Sequence, residues 1–210
     1  MLDSLLEEAL TGTPDRHLVE AIGVTDRRLF EDSNFILVPS ISPISVNHIM
    51  LVPKAPTCGF WQVPDVHLEA ALEKMYEVYP QSRSFIQFEH GVFEPGEYRC
   101  GINHAHLHLV PEQDGFFEFL NNRFQVLSNE SELSFFEDLR FSQLGKFQTR
   151  STSYVAVRRG RDRSFGIRGK NLASQLVRRY ASEFGYNCGE NWRDIENWGE
   201  FNATLKEWRK

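Results

Sequence analysis

The sequence predicts an α+β domain built on an antiparallel sheet. Three observations predict it. Short apolar runs of strand length are separated by proline-containing turns. Amphipathic segments of helical period interrupt and follow those runs. The composition supplies a core: 41% of the 210 residues are hydrophobic, with 17 phenylalanines, six tyrosines and four tryptophans. With 25% charged residues the usage is that of an ordinary globular chain, which excludes a disordered, collagen-like or coiled-coil protein.

Residues 1–27 read as an amphipathic helix and a connection, because Leu2, Leu5, Leu6, Ala9 and Leu10 fall at helical spacing. Asn34-Phe-Ile-Leu-Val38 and His48-Ile-Met-Leu-Val52 are strands joined by the turn-rich Pro39-Ser-Ile-Ser-Pro43, hence an antiparallel pair. Val66, Ala70, Leu72, Met75, Tyr76 and Val78 give the stretch 65–79 one apolar helical face, and Pro80 ends it. Ser84-Phe-Ile-Gln-Phe88 is a third strand. Residues 89–103 hold three glycines and a proline and read as a loop, and 104–110 are a fourth strand closed by Pro111. Residues 114–147 read as one or two helices, 154–157 as a late strand, and 172–184 as a helix stopped by Gly185. The Trp-rich tail from Trp192 to Trp208 reads as a docked helix.

Twenty-three basic against 29 acidic residues give a net charge of −6. That balance argues against a general nucleic-acid coat. No apolar run reaches the ~18–20 residues that cross a bilayer, and the acidic start is unlike a signal peptide. Cys58, Cys100 and Cys188 are odd in number and widely spaced, which fits a reducing cytoplasm better than a disulfide framework.

The chemistry concentrates at Asn103-His-Ala-His-Leu-His-Leu-Val-Pro111. Three of the chain's seven histidines lie within five positions, alternating with Ala105, Leu107 and Leu109. On a strand this period puts His104, His106 and His108 on one face. A metal site is one reading, since neutral imidazole is a common zinc ligand. Same-face neighbours stand about 6.6–7 Å apart along a strand, so three in a row do not close readily on one ion, and zinc is not favoured. Nucleophilic catalysis is the stronger reading. An unprotonated imidazole attacks phosphorus while its neighbours fix its tautomer and hold phosphate oxygens, and no metal or other cofactor is required.

His104-Ala-His106-Leu-His108-Leu-Val110 resembles the His-φ-His-φ-His-φ-φ signature of the histidine-triad family of nucleotide hydrolases and transferases. Leu29-Phe-Glu-Asp32, Ile41-Ser-Pro43 and Asn47-His-Ile-Met-Leu-Val-Pro-Lys54 resemble that family's leading hairpin. The resemblance spans residues 28–112. It implies a triad-like catalytic core there, preceded by residues 1–27 and followed by a mainly helical extension, 113–210, packed on the core. It further implies that His106 attacks the α-phosphorus, that His104 and His108 bind phosphate and assist the leaving group, and that His48 lies beside them. Ser40 and Ile41 map to the ribose site, with Phe30 and Phe35 as base-side walls.

Departures from the family pattern are specific. Ser40 stands where the common members carry an acidic residue. Glu89-His-Gly91 stands where they carry Asn-x-Gly, which makes His90 a candidate site residue. Related transferases end the motif in Gln, so His108 points toward hydrolysis. Small triad proteins commonly dimerise through their central sheets, which leaves a homodimer open.

Residues 158–179 carry eight positive charges, from Arg158 to Arg179, against Asp162 alone. This window reads either as a solvated face or as a patch that draws an anionic substrate inward. Arg178 and Arg179 are the candidates to bind phosphate, in a stretch (174–180) that resembles the C-terminal extension of larger triad-like proteins. The expected partner is a nucleotide or nucleotide conjugate. The alternative to an enzyme is a nucleotide- or RNA-associated binding module with little turnover.

Overall fold

Phe35, Ile36, Leu37 and Val38 are all buried, because the sheet they belong to is covered on both faces. The computed structural model describes residues 3–93, 104–148, 152–160, 163–191 and 197–209. Its strands are β1 (Phe30–Glu31), β2 (Phe35–Pro39), β3 (Ile49–Pro53), β4 (Ile86–Val92), β5 (Leu107–Val110), β6 (Ser134–Glu137), β7 (Ser153–Arg159) and β8 (Arg163–Gly169). They form one eight-stranded sheet in the order β1-β2-β3-β5-β4-β7-β8-β6, antiparallel throughout. The helices are α1 (Asp3–Thr11), α2 (Arg16–Ile22), α3 (Asp65–Val78), α4 (Phe116–Asn129), α5 (Leu176–Phe184) and α6 (Trp198–Trp208). The α+β class expected from the sequence is the class observed.

Alternation along the strands sorts the side chains into two layers. One face carries Phe35, Leu37, Ile49, Leu51, Leu107, Leu109, Tyr154 and Ala156. Against it lies the apolar stripe of α3: Leu68, Ala71, Leu72, Met75 and Tyr76. The opposite face has two clusters. Ile36, Val38, Met50 and Val52 pack under Leu6 and Ala9 of α1. Ile86, Phe88, Val155, Val157, Phe165 and Ile167 pack under Phe116, Phe117, Leu120 and Phe124 of α4 and Leu176, Val177 and Ala181 of α5. The gap between these two clusters is where the histidines come.

Residues 113–210 do more than pack on the sheet. β7 pairs with β4 over the full register from Ile86↔Arg159 to Val92↔Ser153, and β8 and β6 follow it. The sequence shows only β7 plainly. β6 is short, and Arg163, Gly166 and Arg168 break the apolar alternation of β8 so that it reads as part of a basic face.

Two polar groups deep in the structure need partners, and have them. Arg27, fully buried, donates from Nε to Glu8 Oε2 of α1 (3.1 Å) and from Nη1 to the Pro39 carbonyl (2.9 Å). Glu89, on the α3 face of β4, accepts from the Phe60 N–H (2.8 Å) and from the Tyr154 hydroxyl. Burial pushes the Glu89 carboxyl up to about 8, against the opposing pull of those two donors. No helix among the described residues is long and apolar enough to cross a membrane.

Candidate active site

The gap on the α1/α5 face is a cavity between the sheet and these two helices, open to solvent at its mouth. Met50, Phe88 and Val155 come from the sheet, Leu6 from α1, and Leu176 and Val177 from α5. The polar groups that converge on it are His48, His90, His106, His108, Ser40, Arg27, Gln175 and Arg178.

The triad does not lie wholly on a strand. β5 begins at Leu107, so His104 and His106 belong to the extended segment that leads into it. This corrects the expectation of three imidazoles on one face. His106 and His108 both line the cavity, with ring centroids 4.9 Å apart. His104 does not line it. Its Nε2 donates to the Pro53 carbonyl at the end of β3.

Hydrogen-bond partners assign the tautomers. His106 Nδ1 lies 2.8 Å from the His104 carbonyl oxygen, which only accepts, so Nδ1 carries the proton and Nε2 keeps its lone pair. The Ile44 N–H donates to His48 Nδ1 (2.9 Å), so the proton of neutral His48 sits on Nε2. That N–H faces His108 Nδ1 at 2.9 Å, which places the His108 proton on Nε2. Phe88 stacks on the His108 ring at 4.6 Å and holds its plane.

Burial keeps these rings neutral. It lowers His48 and His108 well below the ordinary histidine range, with Arg178 and the neighbouring imidazoles acting in the same direction. Burial also lowers His106, although its bond to the His104 carbonyl opposes the shift. A neutral imidazole with a bare Nε2 facing a cavity is a nucleophile at neutral pH.

Arg178 is a buried cation of the site, as is Arg27, which is paired with Glu8. Arg178 donates from Nη1 to the Cys188 carbonyl (2.8 Å) and from Nη2 to the Ser42 carbonyl, two oxygens that hold the guanidinium without neutralising it. Ser40 is buried; its hydroxyl donates to the Ser42 carbonyl (3.2 Å) and its N–H to the His48 carbonyl (3.0 Å). Ile41 and His90 also line the cavity, His90 from β4 opposite Val155.

Besides His104, three expected site residues are elsewhere. Phe35 is packed in the α3-side core, stacked on Phe60, and Phe30 packs against the same cluster. Strand alternation turns both away from the cavity. Arg179 is exposed on a separate groove with Lys170, Glu183 and Glu190. The basic window is not one patch either. Arg158 points to the α3 face and pairs with Glu69 (2.7 Å), while Arg159 pairs with Glu112 (3.2 Å) and Glu118 (3.0 Å). Cys100 and the rest of residues 94–103, expected as part of a loop, lie outside the described residues.

Solved structures similar to this chain are triad-family proteins and an Ap4A phosphorylase. One is a zinc-bound histidine triad family protein from Mycobacterium smegmatis: 20% identity, TM-score 0.32, covering 47% of this chain and 73% of that one. Another is a HIT family protein from Bacillus anthracis: 15% identity, TM-score 0.32, covering 55% and 94%. Yeast Ap4A phosphorylase in complex with AMP covers 75% and 62%, at 16% identity and TM-score 0.42. At these identities and scores the likenesses are no guide to activity or residue roles. No protein-family model matches the sequence, and no curated protein is found similar to it.

Sequence reasoning missed Arg27 and Gln175. Arg27 sits in Asp26-Arg-Arg28, and nothing in that string separates the buried arginine from its exposed neighbour.

Among the described residues, no group of three or more His, Cys, Asp or Glu side chains is disposed to hold a metal ion. The facing nitrogens of His48 and His108 are engaged with each other.

Proposed function

We propose that this chain is a nucleotide hydrolase or nucleotidyltransferase that works through a nucleotidyl adduct on His106 Nε2. The observation that carries this reading is the His106 Nδ1–His104 carbonyl bond, which leaves Nε2 unprotonated at a cavity that His108 and Arg178 also line. The motif spacing supports the same assignment.

In the first step the Nε2 lone pair attacks the α-phosphorus in line. The bond from phosphorus to its bridging oxygen or nitrogen breaks and takes the electron pair. A phosphate leaves as its anion. An amine leaves after gaining a proton from solvent, because neutral His108 offers its one N–H as a hydrogen bond and does not give the proton up. In the second step water or another hydroxyl displaces the imidazole and releases its proton to solvent, so Nε2 regains its lone pair and a nucleoside monophosphate or its ester departs. Arg178 and His108 supply fixed donors to the phosphoryl oxygens. Ser40 and Ile41 border the ribose, and the apolar side chains of the cavity receive the base.

Turnover of a panel of dinucleoside polyphosphates, nucleoside phosphoramidates and nucleoside diphosphate sugars tests this reading. The parent cleaves at least one and His106→Ala cleaves none. Tight nucleotide binding with no product from any compound contradicts it and favours the binding module.

A further inference from the structure

His48 is held in place from its own backbone, and the corner before it is unusual. Asn47 has φ +66°, the left-handed conformation that asparagine tolerates better than most residues. Every hydrogen bond recorded for Asn47 goes to residues distant in sequence. Its N–H donates to Thr204 Oγ1 (2.8 Å), and Thr204, fully buried, donates on to the Glu200 carbonyl (2.8 Å). Its side-chain Nδ2 donates to the Tyr79 hydroxyl (3.0 Å) and to Glu207 Oε2 (3.1 Å). Its Oδ1 accepts from Trp208 Nε1 (3.1 Å). The partners lock each other: Tyr79 donates to Glu207 Oε1 (2.6 Å), and its ring stacks on Trp208 at 4.3 Å.

We infer that α6 is a clamp on the corner before β3: by gripping Asn47 it holds His48 Nε2 against His108 Nδ1, which makes Asn47, Thr204 and Trp208 positioning residues of the site. The consequence for catalysis rests on the function proposed above; the geometry of the clamp does not. Asn47 and His48 are consecutive, so a shift of this corner moves the imidazole directly. The His48–His108 contact, 2.9 Å long, is what selects the His108 tautomer. Without it the His108 proton is shared between two nitrogens, and the donor that faces the phosphoryl group is present only part of the time. The last helix of the chain thus acts on a histidine more than 150 positions earlier in sequence.

Imidazole ¹⁵N spectra of the full chain, in which donor and acceptor ring nitrogens resonate far apart, test this directly. Thr204→Val removes the acceptor of the Asn47 N–H at nearly constant volume. Trp208→Phe removes the donor to Asn47 Oδ1 while keeping a ring on Tyr79, and its site at the helix end leaves the fold intact if the buried Thr204→Val does not. In both, the His48 and His108 nitrogens move toward averaged positions while His106 keeps its pattern, and Thr204→Ser restores the parent spectrum. On any substrate the parent turns over, kcat falls about tenfold, the scale of one or two buried hydrogen bonds, with KM within about twofold. Unchanged His48 and His108 resonances in both variants overturn the clamp. If no substrate is turned over by the parent, the proposed function fails while the spectra still decide the clamp.

Discussion

His48 Nε2 and His108 Nδ1 face each other at 2.9 Å, and the Ile44 N–H that caps His48 Nδ1 gives the pair a direction. One backbone amide thereby fixes the protonation pattern of two imidazoles and turns a donor of His108 toward whatever else the cavity holds. His106 is set independently, by the carbonyl of His104. The site is built from hydrogen bonds that leave His106 Nε2 bare and His48 Nε2 and His108 Nε2 protonated, all three rings being neutral.

That neutrality gives a pH dependence. His106 titrates below the ordinary histidine range because it is buried. The pH profile of kcat/KM therefore rises through an apparent pKa below 6.5 and is flat from about pH 7 to 8. A profile that falls as pH rises from 6 to 7 indicates that a protonated imidazole is needed, against this account.

Stability shares part of that profile. The folded pKa values of His48, His106 and His108 are depressed, so below the unfolded value near 6.5 the unfolded chain binds more protons than the native one. Stability from this source is complete above about pH 6.5 and is lost as pH falls. Replacing His48 with Gln flattens the acid side of a plot of Tm against pH; an unaltered slope contradicts the buried neutral state.

Glu89 acts with the opposite sign. Its folded pKa of about 8 exceeds the unfolded value, so the native state holds a proton that the unfolded chain releases between about pH 4.5 and 8. Its contribution falls as pH rises through that window. Glu89→Gln keeps an acceptor for the Phe60 N–H and offers the Tyr154 oxygen a donor. Its Tm advantage over the parent grows between pH 5 and pH 9, to the order of several degrees. A constant difference across that range contradicts a protonated Glu89.

Arg178 and Arg179 are adjacent in sequence and far apart in role. Arg178→Met raises KM for a nucleotide substrate roughly tenfold or more, since a buried cation facing phosphate is lost. Arg179→Ala, on its exposed groove, leaves KM within about twofold. Equal effects of the two point to general electrostatic steering instead.

Much of the site was legible in the sequence because it is written in local patterns. Alternation within β2, β3 and β4 and the spacing of His106 and His108 carry the face assignments, and the Pro-bounded runs locate the strands. What was not legible depends on contacts distant in the chain. Phe35 matches a base-side wall by its place in the hairpin, yet parity along β2 sends it to the opposite core. His104 matches the motif and still turns to the Pro53 carbonyl, because β5 starts three residues later. Arg27 acquires its burial from Glu8 of α1, and Asn47 its conformation from α6; neither partner is near it in sequence. The charges of 158–179 looked like one patch only while the extension of β7 to Arg159 and the strand β8 were not recognised, since a strand sends successive arginines to opposite faces.

The central claim, a covalent bond at His106 Nε2, is tested most directly by intact-protein mass spectrometry. The protein is mixed with nucleoside phosphoramidates, dinucleoside polyphosphates or nucleoside diphosphate sugars and quenched within seconds, with His106→Ala beside it. The account predicts a nucleotidyl mass increment on the parent, mapped to the peptide containing His106 and missing from the variant. An increment on another residue, or equal turnover by parent and variant, contradicts it.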